Sequence, residues 1–141
     1  MAEKLKLTLN GSEVRGVLLR FENLGTSPLA VIRSHRPGFY ASYEAQLRDA
    51  AGDVQWETVP MLECGTPYPL TADGLVVLPP GGTHEAAVDT RGYELPPGRY
   101  TLQVTYRTNK HWLDLVTTDP PGFELVARGE WTSNVLDVLS R

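Results

Sequence analysis

The sequence predicts an all-β chain folded as an antiparallel sandwich, and three observations predict it. Residues 95–106, Leu-Pro-Pro-Gly-Arg-Tyr-Thr-Leu-Gln-Val-Thr-Tyr, place a Pro-Gly turn before seven residues of strict alternation. Tyr100, Leu102, Val104 and Tyr106 fall on one face and Thr101, Gln103 and Thr105 on the other, which is the period of a half-buried strand. Short segments of the same kind, about eight to ten in all, recur at roughly 8–12 residue spacing with turn signals between them. Eleven Pro and 13 Gly in 141 residues suit many tight turns, and no helical period of useful length and no internal repeat accompanies them.

Each element follows from its own pattern. Leu5, Leu7 and Leu9 alternate with Lys4, Lys6, Thr8 and Asn10, and Asn10-Gly11 supplies a turn able to take positive φ. Val17, Leu19 and Phe21 line one side of a second strand, which residues 23–28 interrupt before Leu29, Ala30, Val31 and Ile32 begin a third. Residues 33–38 read as a loop, because the residue before Pro37 avoids the helical region and Gly38 follows. Phe39, Ala41, Tyr43, Ala45 and Leu47 then alternate, and a turn at residues 49–53 folds them back onto Val54, Trp56 and Thr58. Pro60 ends that partner strand.

Residues 61–74 carry Gly and Pro with little alternation and are expected to cross between sheets. Residues 75–78 form a short apolar strand, residues 79–82 a Pro-Gly turn, and His84, Ala86 and Val88 another alternating strand. After Tyr106, residues 107–129 are too long for a plain hairpin loop and predict a long late hairpin insertion. Its arms are expected at Leu113, Leu115 and Thr117 and at Phe123, Leu125 and Ala127, with residues 119–122 as the tip. Residues 131–139 form the last strand, with Leu136 and Val138 facing inward.

A chain of 141 residues with no Gly/Ser-rich or charge-rich divider is expected to be one domain spanning 1–141. It is large enough to bury roughly two-thirds of its unfolded surface without a metal or disulfide. Cys64 is the single cysteine, so no internal bridge forms, which points to a reducing compartment. The start has no apolar run of signal-peptide length and nothing further on has membrane-spanning length, so the expected location is the cytoplasm. Met1-Ala2 is equally compatible with a start left by removal of a leader. A net charge of −4 supplies no global field toward nucleic acid or anionic lipid.

The residues that carry chemistry are few. Cys64 lies in no nucleophile motif and reads as a packed thiol. His35, His84 and His111 are far apart, no metal-binding spacing occurs, and Asp49 and Asp53 bracket a turn where a carboxylate caps its own backbone. With no G-x-S-x-G elbow and no phosphate loop, the expectation is a protein that is not an enzyme and takes no cofactor or metal. Two loops remain as binding candidates. Lys110, His111 and Trp112 open the insertion and Phe123 lies on its return, so large rings project where partners are gripped. The competing reading folds Trp112 down to cap an open end of the sandwich. Arg33, His35 and Arg36, followed by Phe39 and Tyr40, mix cations with rings as phosphate- and base-gripping surfaces do, although the negative net charge favours a solvated loop. Trp56 and Trp131 sit in predicted strands and are assigned to the core.

The stretch Leu95-Pro96-Pro97-Gly98-Arg99-Tyr100, with Leu102 and Val104 after it, resembles the L-x-P-G-x-Y-x-x-x-V segment of bacterial immunoglobulin-like and fibronectin type III-like sandwiches. Cys64-Gly65, Pro69-Leu70, residues 78–81 and residues 131–135 extend the resemblance to uncharacterised bacterial domains of this kind. It implies an immunoglobulin-like fold with a tyrosine-corner hydrogen bond at Tyr100, and it transfers no catalytic residue. Asp49 to Trp56 and two Pro-Gly turns are also similar to the Bacillus-type intracellular proteinase inhibitors, which would offer residues 61–68 as a substrate-like loop. The expected function is therefore a protein-binding or accessory module that uses its end loops. Proteinase inhibition and carbohydrate binding through Trp112 are the alternatives, and the expected partner is another protein rather than nucleic acid or membrane.

Overall fold

The computed structural model describes residues 4–33, 43–58, 74–88, 95–108 and 120–141. Among the described residues ten strands run in chain order: β1 (Leu5–Asn10), β2 (Leu18–Asn23), β3 (Leu29–Ile32), β4 (Tyr43–Asp49), β5 (Val54–Thr58), β6 (Leu75–Leu78), β7 (Thr83–Ala87), β8 (Gly98–Thr108), β9 (Gly129–Thr132) and β10 (Leu136–Ser140). All strand pairings are antiparallel. One sheet has the order β1-β2-β7 and the second β10-β8-β4-β5, with β9 also on β8. β3 and β6 form a two-stranded ladder that continues the β2 and β7 chains past a bend. Among the described residues no helix is long and apolar enough to cross a membrane.

The alternation seen in sequence becomes the core. Leu5, Leu7, Leu9, Leu19 and Phe21 from the first sheet meet Ala45, Leu47, Trp56, Leu102, Val104, Tyr106, Trp131 and Val138 from the second. Each Leu, Val or Phe among them contributes about 1.5–3 kcal/mol when removed from water. β8 is the longest strand and pairs on both sides, with β4 along one edge and β9 and β10 along the other. Tyr100, Leu102, Val104 and Tyr106 are all buried, and the Tyr100 hydroxyl donates to the Pro96 carbonyl at 2.7 Å, tying the start of β8 to the turn before it.

Asn23 holds the bend between β2 and β3. It is fully buried; its Nδ2 donates to the carbonyls of Ser27 (2.9 Å) and Leu78 (3.0 Å), and its Oδ1 accepts from the Gly25 N–H (2.8 Å). At the β4–β5 turn, the Asp49 carboxylate accepts from the backbone N–H groups of Ala51 and Asp53 and from Gln55, while Gly52 takes φ 89°, which a residue with a Cβ resists.

The two sheets are joined along one side. After β1 the chain crosses to the second sheet, where the Val14 N–H donates to the Leu139 carbonyl (2.9 Å) and the Leu139 N–H to the Ser12 carbonyl (3.0 Å), a short parallel contact with β10. Above it the Asn134 side chain pairs with both backbone groups of Leu9, at 2.7 and 3.2 Å. Higher still, Val126 bridges Ala30 in parallel and the Ala127 N–H donates to the Ala30 carbonyl (2.9 Å) before the chain enters β9.

Three expectations require correction. Val54 does not share the inward face of Trp56: the register slips between Leu47 and Arg48, so Gln55 is an extra residue and Val54 is turned out, 42% exposed. The last strand is two strands. β10 and β9 pair with β8 in registers one residue apart, and at the break the Ser133 Oγ accepts the Val104 N–H at 2.9 Å. The return arm at Phe123, Leu125 and Ala127 is not a strand. Phe123–Leu125 is a single 3-10 turn, and Arg107, Thr108 and Gly129 belong to β8 and β9, so the connection between those strands spans residues 109–128. The first arm, at Leu113, Leu115 and Thr117, lies outside the described residues, as do Phe39, Ala41, Cys64 and the 61–68 loop.

Candidate binding site at the Tyr106 end

Three connections begin and end around one residue. β3 ends at Ile32, whose N–H donates to the Tyr106 hydroxyl at 3.0 Å, and the chain returns at Tyr43, the register partner of Tyr106. β5 ends at Thr58, and the chain comes back at Gly74, whose carbonyl accepts the Arg33 N–H at 2.8 Å. β8 ends two residues after Tyr106, and β9 begins at Gly129, the partner of Thr108. The two segments proposed from sequence as binding loops therefore leave the sandwich at the same end.

The strand ends at this end pack around Tyr106. Tyr106 is fully buried, meets Phe21 edge-on with ring centroids 5.3 Å apart and stacks on Trp131 at 5.8 Å. Burial pushes its phenol well above the ordinary tyrosine range, and the Ile32 hydrogen bond opposes this only partly; the hydroxyl stays protonated and structural. Thr108 is buried, and its Oγ1 donates to the Ala127 carbonyl and accepts the Gly129 N–H. Both ends of the β8–β9 connection are thus fixed by one side chain.

Phe123 sits where that connection crosses the β3–β6 ladder. Its N–H donates to the Pro120 carbonyl (3.0 Å) and its own carbonyl accepts the Val126 N–H (3.1 Å), so the ring is carried on a closed turn and is half-buried. Gly122 starts the turn at φ 92°, and a Cβ there would lie 3.5 Å from Val77 Cγ2. Val77 itself is 48% exposed, so Val77 on the β3–β6 ladder and the half-buried Phe123 keep part of their apolar surface in water.

Charge surrounds this end. Arg33 is exposed at the end of β3. Arg107 bridges three strands on the outer face of the second sheet, at 2.8 Å from Glu44 and 3.1 Å from Glu130; the Glu130 hydrogen bond and the Glu44 charge raise its already high pKa. His84 stacks on Phe21 with centroids 6.0 Å apart. Partial burial lowers its pKa, the Arg33 charge lowers it further, and Glu85 opposes both. These groups can orient and select a partner. Among the described residues no group of three metal-ligating side chains comes together.

Of the residues singled out from sequence, Arg33 and Phe123 are described, whereas Lys110, His111, Trp112, His35 and Arg36 lie outside the described residues. Val77 was missed, because a residue in the short apolar run Leu75–Leu78 reads as core. Gly122 was read as a hairpin tip, and its Pro-Pro-Gly context was the available signal for a tight turn.

The fold and this end together define a class: an all-β antiparallel sandwich that gathers three connections at one end. No family model matches the chain, and no curated protein matches it either.

Proposed function

We propose that this is a non-enzymatic, immunoglobulin-like module of a bacterial cytoplasm that binds another protein through the Tyr106 end. The carrying observation is that the strand ends bounding three connections, Arg33 and Tyr43, Thr58 and Gly74, and Thr108 and Gly129, lie together at one end, tied through the Ile32–Tyr106, Arg33–Gly74 and Thr108–Gly129 hydrogen bonds. Loops carried on a packed scaffold are where binding residues concentrate in sandwich domains. Phe123 and Val77 offer apolar contact, and Arg33 offers charge at the rim. The Tyr100–Pro96 hydrogen bond and the crossing of the first strand from one sheet to the other support the immunoglobulin-like reading.

The test is capture of partners from the native cell with the wild-type chain and with Trp112→Ala and Phe123→Ala. Both variants are expected to keep their thermal midpoint within a few degrees and to lose the partner. A variant that unfolds shows that its ring is structural, and retention of the partner by both folded variants sinks the proposal.

A further inference from the structure

We propose that Asn10 is a self-modification site whose product loosens the crossing of the chain between the two sheets. Three asparagines are described, and they differ in every respect that matters. Asn23 is buried with its amide fully bonded, and Asn134 has its amide tied to Leu9. Asn10 is exposed, its side chain makes no hydrogen bond among the described residues, and its successor is Gly11, also exposed. The Gly11 N–H likewise makes no hydrogen bond among the described residues, so the nitrogen that must attack is unprotected. Gly11 has no Cβ to obstruct the approach.

The chemistry needs only water. The Gly11 backbone nitrogen attacks Asn10 Cγ; the N–Cγ bond forms, the Cγ–Nδ2 bond breaks, and the amide nitrogen leaves as ammonia carrying the Gly11 proton. Water then opens the resulting succinimide at either carbonyl. Opening at the side-chain carbonyl leaves an ordinary aspartyl link. Opening at the main-chain carbonyl leaves an isoaspartyl link, which routes the backbone through Cβ and Cγ and lengthens it by one methylene.

The position gives that methylene its effect. Asn10 is the last residue of β1, in register with Leu18, and two residues later Ser12 accepts from Leu139 while Val14 donates to it. Between them Gly11 takes φ 143°, and a Cβ there would lie 3.2 Å from both the Gly16 carbonyl oxygen and the Val17 Cα, so the backbone of this turn is closely packed against residues 16 and 17. A longer main chain at Asn10 displaces residues 12–14 from β10.

The test ages the full-length folded protein at neutral and mildly basic pH and maps the products by peptide mass with a fragmentation that separates aspartyl from isoaspartyl links. Conversion is expected at Asn10 ahead of Asn23 and Asn134, faster at the higher pH, and absent in Asn10→Gln, whose longer side chain would need a larger ring. In the isolated isoaspartyl fraction, amide exchange at Val14 and Leu139 should accelerate while exchange in β4 and in the β8 core stays unchanged. Asn10 remaining an amide in the folded protein while denatured protein converts it would overturn the site. Unchanged exchange at Val14 and Leu139 would overturn the loosening.

Discussion

Asn23→Ala should be among the costliest single substitutions outside the apolar core. The side chain is fully buried and supplies three hydrogen bonds, two as donor to the Ser27 and Leu78 carbonyls and one as acceptor from Gly25. Alanine removes all three and leaves the Leu78 carbonyl facing the protein interior. A net bond contributes about 1 kcal/mol, and a buried group left without a partner costs about 1–3 kcal/mol, so the expected loss is about 2–4 kcal/mol. Against a total stability of about 5–15 kcal/mol, that is a large fraction, and it corresponds to a fall in Tm of roughly 8–16 °C for a chain of this size. Asn23→Asp provides the sharper comparison. It keeps the acceptor for Gly25 but sets a carboxylate oxygen against two carbonyls, so at neutral pH it should be worse than alanine. Protonation restores a donor, so its deficit should shrink as the pH falls. Urea unfolding at both pH values measures this. A loss below about 1 kcal/mol for Asn23→Ala, or an Asn23→Asp variant no worse than alanine at neutral pH, would show that the bend between β2 and β3 does not depend on this side chain.

Other outcomes follow from the same physical reasoning. Tyr106→Phe should cost about 1–3 kcal/mol by leaving the buried Ile32 N–H without its acceptor, measured by denaturant unfolding. His84 has a lowered folded pKa, so the unfolded chain binds its proton more readily; the stability contributed by the neutral ring is complete above about pH 6.5 and declines as the pH falls toward the folded value. His84→Gln should flatten that part of the stability profile, and an unchanged slope would refute the assignment. Arg107→Ala, which breaks two partly exposed ion pairs, should cost less than about 1 kcal/mol, and the difference should shrink further in high salt.

The architecture was legible wherever one face of a strand is buried and the other wet. β1, β2, β4, β7 and β8 announce themselves because Leu5, Leu19, Ala45, Ala86 and Leu102 each begin or continue a period-2 pattern that burial alone imposes. The pattern misleads where long-range pairing overrides it. Val54 keeps the right spacing from Trp56, yet the bulge at Gln55 depends on register with β4. Residues 131–139 look continuous, yet Ser133 interrupts the ladder with a side chain that accepts the Val104 N–H of another strand. Phe123, Leu125 and Ala127 alternate like a strand, yet Phe123–Leu125 closes a 3-10 turn and Val126 and Ala127 then run beside Ala30 of β3. The candidate loops were found from their rings and charges; that they leave the sandwich together follows from strand order, which local sequence does not encode.

The contacts of residues 12–14, Asn134 and residues 126–127 all lie on the β1 side and act as the spine of a book. Backbone groups and the Asn134 side chain there hold one sheet to the other, whereas among the described residues on the β7 side the Tyr43 hydroxyl reaches across to the Ala87 carbonyl. Amide exchange at Leu9, Val14 and Leu139 should therefore be slow, because each backbone group there is bonded across the spine. A spine also transmits: a partner gripping the Tyr106 end would damp the swing of both sheets along their whole length, slowing exchange far from where it binds.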